Sequence, residues 1–260
     1  MPIMRMLHSV IEGKENTQPL LILHGLFGML DNWKSLGKKW GKQYQVHLID
    51  LRNHGKSFHD PNNSYEAMAE DLAFYMDQKD IEQAYILGHS MGGKTAMHFA
   101  ALYPEKVEKL IVADIGPQEY KPHHQEIIDA LQYINPSACE GRQEAEDKMS
   151  EKISTPSVRM FLLKNLYWTD DKKLDWRMNL DVLDRNYHEV TKALPSNYQF
   201  SGPTLFIRGT ASGYINDDDL ELIHQHFPSA KLESIEGAGH WLHAEQPKVF
   251  SEILLNFLDE

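Results

Sequence analysis

Ser90 is the side chain of this sequence with the clearest catalytic setting. It follows an apolar run at 84–87, precedes a helix-forming run at 94–103, and lies in the segment Gly88-His89-Ser90-Met91-Gly92. A serine between glycines at a strand-to-helix turn is a nucleophile elbow, in which the tight turn lifts the hydroxyl above the sheet. The positive end of the following helix lies beneath it. The segment predicts a serine nucleophile, which works only if a base and an oxyanion site lie nearby.

Fourteen histidines compete for the role of the base. We choose His240, which lies in a loop of small residues between the predicted last strand and the predicted last helix. In a parallel sheet the loops at the C-terminal ends of the strands meet at one edge, so this loop can reach Ser90. His243 is the nearest rival. His89 adjoins the nucleophile, but we expect its ring to point away from the serine hydroxyl.

The carboxylate that would orient this base is ambiguous. The usual position, after the predicted strand 204–208, holds Ser212, which cannot stabilise an imidazolium by charge. Asp114 ends the strand directly after the nucleophile's helix, and a carboxylate there can reach the same histidine. We assign Asp114 the orienting role, to which Ser212 could add a hydrogen bond, although Asp114 would also suit a turn cap. Asp217 is the second choice, and its charge also suits the start of a helix.

Two backbone N–H groups are expected to hold the oxyanion. The first is that of Met91, directly after the serine. The second is that of Leu26, in a glycine-containing turn after the predicted strand 20–23. Three aromatic side chains are predicted to contact the substrate: Phe27, Trp168 and Trp241.

The elements that position these residues follow from the rest of the chain. Short aliphatic runs alternate with longer amphipathic ones, which predicts α/β layering with a mostly parallel sheet. The predicted strands cover residues 8–11, 20–23, 45–50, 84–87, 109–114, 204–208 and 231–235. The predicted helices cover residues 33–40, 64–79, 91–103, 217–226 and 247–258.

The alternation breaks between residues 117 and 200. This segment has helical periodicity at 125–133, 143–152, 157–167 and 174–187, and no convincing strand. We interpret it as a helical cap inserted into a core formed by residues 1–116 and 201–260. Its apolar side chains could cover a pocket that binds the acyl group, or they could form the hydrophobic core of the cap itself. They are Met160, Phe161, Leu163, Leu166, Tyr167, Trp168, Trp176 and Met178.

The composition limits the classes of protein that remain. A net charge of −12 disfavours nucleic acid or an anionic membrane as a principal partner. A single cysteine, Cys139, excludes an internal disulfide and a thiolate metal cluster. No run reaches the roughly 18 apolar residues of a membrane-spanning helix, and the first residues lack a signal-peptide pattern. The chain is therefore expected in the cytoplasm, as a monomer or homodimer.

Neither a metal nor a cofactor is predicted. Histidines occur in pairs at positions 123 and 124 and at positions 224 and 226. A zinc site needs three or four ligands, so we interpret both pairs as surface histidines.

With these residues in place, the chain resembles the α/β-hydrolase superfamily over almost its full length. The matching features are His24-Gly25, Asp31-Asn32-Trp33, Asp50-x-Arg52-x-His54-Gly55-x-Ser57, the elbow, and Gly239-His240-Trp241 with Glu245-x-Pro247. More narrowly it resembles the YbfF-type bacterial esterases, in Ser90-Met91-Gly92-Gly93-Lys94, Ala113-Asp114-Ile115-Gly116-Pro117 and Trp176-Arg177-x-Asn179-Leu180. This resemblance implies carboxylesterase or thioesterase activity on small acyl esters, with acyl-CoA as a further candidate. It also implies an acid at Asp114.

The leading hypothesis is a serine esterase or thioesterase that works through an acyl-enzyme. One alternative keeps the fold and the triad but changes the reaction, to that of a C–C bond hydrolase or a lyase. Another is a ligand-binding module without turnover. Acyl-CoA would need positive charge for its phosphates, which Lys34, Lys38, Lys39 and Lys42 could supply. A solvated helix face is the more common explanation of these lysines, and we favour it.

Overall fold

The central sheet is the element whose strand ends position the predicted catalytic residues. A computed structural model describes residues 4–122 and 124–260, and within them the sheet has seven strands. These are β1 Ser9–Glu12, β2 Pro19–Leu23, β3 Gln45–Ile49, β4 Ala84–His89, β5 Val107–Ala113, β8 Thr204–Gly209 and β9 Ala230–Ile235. Their order is β1-β3-β2-β4-β5-β8-β9, with β1 antiparallel to β3 and all other neighbours parallel. The predicted mostly parallel sheet is confirmed.

Helices cover both faces of this sheet. The core helices are α1 Lys34–Trp40, α2 Tyr65–Gln78, α3 Met91–Leu102, α9 Leu220–His226, α10 Leu242–Glu245 and α11 Pro247–Asp259. Within the described residues, every helix is too short or too polar to span a bilayer. Ser64 caps α2, because its hydroxyl accepts a hydrogen bond from the Ala67 N–H. Of the three aspartates predicted to cap the next helix, Asp219 occupies the N-cap position of α9, and residues 217–219 form a 3₁₀ turn whose own cap is Asn216.

The strands are apolar along most of their length because both sheet faces are covered. On one face, Met68 of α2 and Phe99 of α3 belong to the larger of two buried clusters. On the other face, Trp40 of α1 and Phe250 of α11 belong to the second cluster. Alternating residues of β2 face the two clusters, with Leu21 on the first side and Ile22 on the second.

The register brings five strand ends to one edge of the sheet. Leu23 of β2 pairs with Gly88 of β4, and Gly88 pairs with Val112 of β5. Ala113, the last residue of β5, pairs with Ile207 of β8. Because these pairs are parallel, the loops after β2, β4, β5 and β8 leave the sheet on the same side. Ile235, the last residue of β9, pairs in parallel with Gly209 of β8, so the loop that carries His240 leaves on this side as well. These five loops are the ones in which the sequence predicts the catalytic residues.

Residues 117–200 form a separate set of elements over that edge. Its helices are α4 Gln125–Tyr133, α5 Arg142–Ser150, α6 Pro156–Leu163, α7 Leu180–Arg185 and α8 Tyr187–Thr191. The prediction of helix at 164–167 and 174–179 is wrong. Strands β6 Leu166–Trp168 and β7 Leu174–Trp176 pair there as an antiparallel hairpin. A turn at Thr169–Lys173 closes the hairpin, and strands of three residues are too short to show a period of two.

Lys94 of α3 joins the core to both ends of this segment. Its side chain is completely buried. Its ammonium group donates hydrogen bonds to the carbonyl oxygens of Pro117, Gln118 and Lys192, at 3.1, 2.6 and 2.8 Å. An ammonium group has three N–H donors, so each donor has an acceptor. The helix that follows the nucleophile is therefore bonded to the start and to the end of the 117–200 segment.

Candidate active site

Ser90 occupies a strained turn between β4 and α3. Its backbone has φ 54° and ψ −120°, a conformation that L-residues rarely adopt outside functional sites. The flanking glycines make this turn sterically possible. A Cβ atom at Gly88 would lie 2.1 Å from the Gly92 carbonyl oxygen, and one at Gly92 would lie 2.4 Å from the Leu23 carbonyl oxygen. The local geometry is that of the predicted elbow.

Asp114 and His240 meet at the same sheet edge. The imidazole Nδ1 of His240 donates to Asp114 Oδ2 at 2.8 Å. The hydroxyl of Ser212 donates to the same carboxylate oxygen at 2.5 Å, and the Gly209 N–H donates to Oδ1 at 3.0 Å. The Asp114 side chain is fully buried, so these three donors replace water around its charge. With Nδ1 occupied, Nε2 is the nitrogen of His240 that can accept a proton.

The alternative acid, Asp217, lies away from this arrangement. Its side chain is 82% exposed and pairs with Arg208, 2.7 Å between Oδ1 and Nη2. The structure therefore brings Asp114 to His240 and leaves Asp217 at the surface.

Three side chains, those of His89, Glu245 and Tyr214, hold the loop that carries His240. His89 Nε2 donates to the His240 carbonyl oxygen at 2.8 Å, so this imidazole supports the loop and points away from the serine hydroxyl. Glu245 accepts hydrogen bonds from the N–H groups of Gly239 and Trp241, at 2.7 and 3.2 Å. The ring of Tyr214 stacks on the His240 ring at 4.0 Å. No motif in the sequence indicated Tyr214, which reaches His240 only through the fold.

His243, the rival base, is buried against an aromatic ring. It stacks on Trp33 with centroids 4.0 Å apart and ring planes 10° apart. Burial lowers its pKa to about 3, with the nearby His240 as a smaller cause. A base must be protonated during turnover, so this environment favours His240 over His243 for that role.

Ser90 and His240 line the same cavity. Within the described residues, no hydrogen bond links the serine hydroxyl to the imidazole. Catalytic hydrogen bonds often shorten only when substrate is bound, so the absence of this bond does not argue against the pair.

The N–H groups of the two predicted oxyanion donors differ from the Phe27 N–H in their hydrogen bonding. The Phe27 N–H donates to His54 Nε2 at 3.3 Å, whereas the Leu26 and Met91 N–H groups donate to no described residue. His54 Nδ1 donates to the Arg52 carbonyl oxygen, and burial lowers the His54 pKa to about 3. A neutral His54 therefore occupies the Phe27 donor. Two N–H groups beside Ser90 remain available to an oxyanion.

The chain is similar in sequence and in structure to known esterases. The family model for the alpha/beta hydrolase fold matches residues 18–138. A putative esterase/lipase of Haemophilus influenzae is 38% identical over 94% of this chain and 84% of its own. Esterase YbfF of Escherichia coli is 34% identical over 96% of both chains. The solved structure of a marine microorganism esterase superposes with a TM-score of 0.94 at 44% identity, covering 97% of this chain and 99% of that one.

The chain belongs to the α/β-hydrolase family. The predicted resemblance to YbfF-type esterases is confirmed, and the similarity to named esterases over nearly the whole chain makes it an enzyme, a serine ester hydrolase.

A cavity of about 690 Å³ opens above the serine of this α/β-hydrolase. That volume suits a drug-sized ligand. Of the residues predicted to contact substrate, Phe27 and Trp241 line it. Phe161 of α6 also lines it, and its ring lies 5.5 Å from that of Trp241. Sequence reasoning missed several other lining residues: Asn32, Trp33, His124, Ile127, Ser157, Val158, Leu162, Lys164 and Ala244.

The prediction for Trp168 is corrected. Trp168 ends strand β6 with its side chain 50% exposed, and it is not among the described residues that line the cavity of the hydrolase. Trp168 lies on the same face of the hairpin as Leu166, but it is the last residue before the turn at Thr169–Lys173. It is half exposed there, whereas Leu166 and Trp176 on the same face are buried. Met160 and Phe161 line the cavity. Part of the predicted apolar set is therefore buried within residues 117–200 and does not face the cavity.

The paired histidines have other roles in the hydrolase. His123 lies outside the described residues, and His124 lines the cavity. The surface interpretation is wrong for His226, which is buried and donates through Nδ1 to the Tyr198 carbonyl oxygen at 2.6 Å. Across residues 4–122 and 124–260, no group of three or more His, Cys, Asp or Glu side chains could hold a metal ion.

Proposed function

We propose that the enzyme hydrolyses small acyl esters through an acyl-enzyme on Ser90, with His240 as base and Asp114 as the orienting acid. The contact between His240 Nδ1 and Asp114 Oδ2 carries the proposal, because it leaves Nε2 free to take the serine proton. The fully buried carboxylate would stabilise the imidazolium that forms.

The reaction follows in two halves. The Ser90 oxygen attacks the acyl carbonyl carbon while its proton passes to His240 Nε2. The Leu26 and Met91 N–H groups hold the negative oxygen of the tetrahedral intermediate. The bond to the alcohol oxygen then breaks, and that oxygen leaves with the proton from Nε2. A water molecule attacks the acyl-enzyme in the same way, giving the free acid and restoring the serine.

Residues 117–200 act, in this proposal, as a cap on a core made of residues 1–116 and 201–260. The contact of Phe161 with Trp241 supports it, because one ring belongs to each part and both line the cavity. A cap that excludes water would strengthen the polar contacts of the reaction.

Thioesters would follow the same steps with a thiol as the leaving group. Coenzyme A carries phosphates, which need positive charge nearby. Lys34, Lys38, Lys39 and Lys42 are not among the described residues that line the cavity, and Lys34 pairs with Asp31. Lys164 is exposed and does line it. We therefore include acyl-CoA among the candidate substrates, with Lys164 as the cation to vary.

The test is hydrolysis of p-nitrophenyl esters and acyl-CoAs by the enzyme and by its Ser90→Ala variant, with fluorophosphonate labelling of both. We expect ester hydrolysis and labelling that the variant loses. Labelling of Ser90 without hydrolysis of any ester or thioester would instead indicate a C–C hydrolase or a lyase. An unlabelled serine would contradict catalysis by Ser90.

A further inference from the structure

Ser90 lies at the junction of two cavities of very different size. The larger has a volume of about 690 Å³ and the smaller about 20 Å³, and both are lined by Ser90 and Leu26. By this measure a single water molecule needs about 10–15 Å³, so the small cavity holds one group the size of water or methyl.

The chemistry of the reaction distinguishes the two cavities. His240 lines the large cavity, whereas Met91, one of the two proposed oxyanion donors, lines the small one. The leaving oxygen must receive its proton from His240 Nε2, so the alcohol has to lie on the His240 side. The carbonyl carbon also carries the oxyanion, held by the Leu26 and Met91 N–H groups, and the acyl substituent, which takes the remaining direction. With the alcohol in the large cavity, the small cavity beside Ser90 is the space left for the acyl substituent.

We propose that the small cavity is the acyl subsite and limits the enzyme to acetyl-sized acyl groups, while the large cavity receives a bulky apolar alcohol. This inference rests on the proposed function of Ser90 and His240. The substrate class it names is the acetate ester of a large apolar alcohol.

The walls of the small cavity are held by hydrogen bonds. Tyr65, which is 3% exposed, donates from its hydroxyl to the Val190 carbonyl oxygen at 2.7 Å. The Tyr120 hydroxyl accepts from the Gly116 N–H and donates to the Tyr214 carbonyl oxygen, both at 2.7 Å. A longer acyl chain would have to displace a ring whose hydroxyl is bonded in a buried site. Such displacement leaves polar groups unpaired, so long chains are disfavoured.

Two valines of the cap allow a matched test. Val190 lines the small cavity and Val158 lines the large one, and both are partly buried. Val182 is buried in α7 and is not among the described residues lining either cavity. The Val182→Ala variant therefore reports general loosening of the cap.

The experiment measures kcat/KM on two series of esters. One series varies the acyl group from acetate to hexanoate on p-nitrophenol, and the other varies the alcohol of acetate esters from ethyl to 1-naphthyl. We expect the enzyme to prefer acetate to hexanoate by at least about tenfold. Val190→Ala should raise the butyrate-to-acetate ratio by about tenfold, because it removes two methyl groups from the wall. Val158→Ala should leave that ratio unchanged and alter only the alcohol series.

Preference of the enzyme for hexanoate over acetate would overturn the assignment. So would an acyl-series shift caused by Val158→Ala and not by Val190→Ala, or an equal shift caused by Val182→Ala. Failure of the proposed function gives a different result, since no ester series would then be measurable, whether or not a fluorophosphonate labels Ser90.

Discussion

The Asp114 carboxylate and the His240 imidazole are 126 positions apart in the sequence and 2.8 Å apart in the structure. Asp114 follows β5, and Ser212, in the loop after β8, donates to the same oxygen that His240 contacts. The acid and the residue in the usual acid position therefore cooperate on one imidazole. Four predictions follow from this site and its supports, in addition to the test of the acyl subsite.

Asp114→Asn should lower kcat by about ten-thousandfold, because an amide nitrogen facing Nδ1 favours the wrong tautomer of His240. Asp217→Asn is the matched control and should retain activity, since that side chain is 82% exposed. The measurement is kcat on p-nitrophenyl acetate for both variants. Near-normal turnover by the Asp114 variant, with loss in the Asp217 variant, would reverse the assignment.

Ser212→Ala should have a smaller effect. It removes one of three hydrogen bonds to a buried carboxylate but leaves the charge and the Gly209 contact in place. We expect kcat to fall by about tenfold, equivalent to about 1.4 kcal/mol of transition-state stabilisation. Initial rates over a range of p-nitrophenyl acetate concentrations would give kcat for this variant. A loss as large as that of Asp114→Asn would show that the serine hydrogen bond is as important as the charge of the aspartate, contrary to this prediction.

Lys94→Met should destabilise the fold by several kcal/mol, since it leaves one buried and two partly buried carbonyl groups without their donor. Lys231→Met is the control, because its ion pair with Glu260 is more than half exposed and such pairs contribute little. Thermal unfolding compares the two variants, and hydrogen exchange near residues 118 and 192 locates the change. Equal melting temperatures for both variants would contradict the anchoring role of Lys94.

Acid should destabilise the protein below about pH 6.5. Burial lowers the pKa of His24 to about 4 and that of His54 to about 3. An unfolded histidine titrates near 6.5, so between these values the unfolded chain binds more protons and falling pH favours unfolding. Each group should cost about 2 kcal/mol at pH 5.

Both imidazoles also accept a main-chain N–H through Nε2, from Leu51 to His24 and from Phe27 to His54, and protonation would break those bonds. The melting temperature between pH 7.5 and 4.5 tests this prediction. A value that stays constant down to pH 5 would contradict it.

Local sequence was sufficient to predict the sheet and the elbow. Every predicted strand of the main sheet lies within two residues of the observed bounds. The glycines at 88 and 92 stand where a side chain would strike the backbone, so the turn itself requires them. The assignment of Asp114 depended on the same kind of information, because the end of an apolar run indicates where a strand leaves the sheet.

Contacts between distant segments could not be predicted in this way. Tyr214 stacks on His240 and Val190 lines the small cavity, but neither lies in a motif or in a periodic run that indicates the site. Trp168 shows a second limit of prediction from the sequence, because here a residue that was predicted to contact substrate does not line the cavity. Its aromatic type suggested a binding role, but it lies beside the turn of a hairpin that the sequence did not indicate. It is half exposed there, although Leu166 on the same face is buried.

The anchor at Lys94 has a consequence for how the substrate range of such an enzyme can diverge. All three acceptors are main-chain oxygens, which every amino acid supplies. Mutations that change side chains within residues 117–200 can therefore accumulate without weakening the hydrogen bonds that attach this segment to α3. Directed evolution of new ester preferences would have most freedom in side chains between the two attachment points, provided that the lysine beneath them is kept.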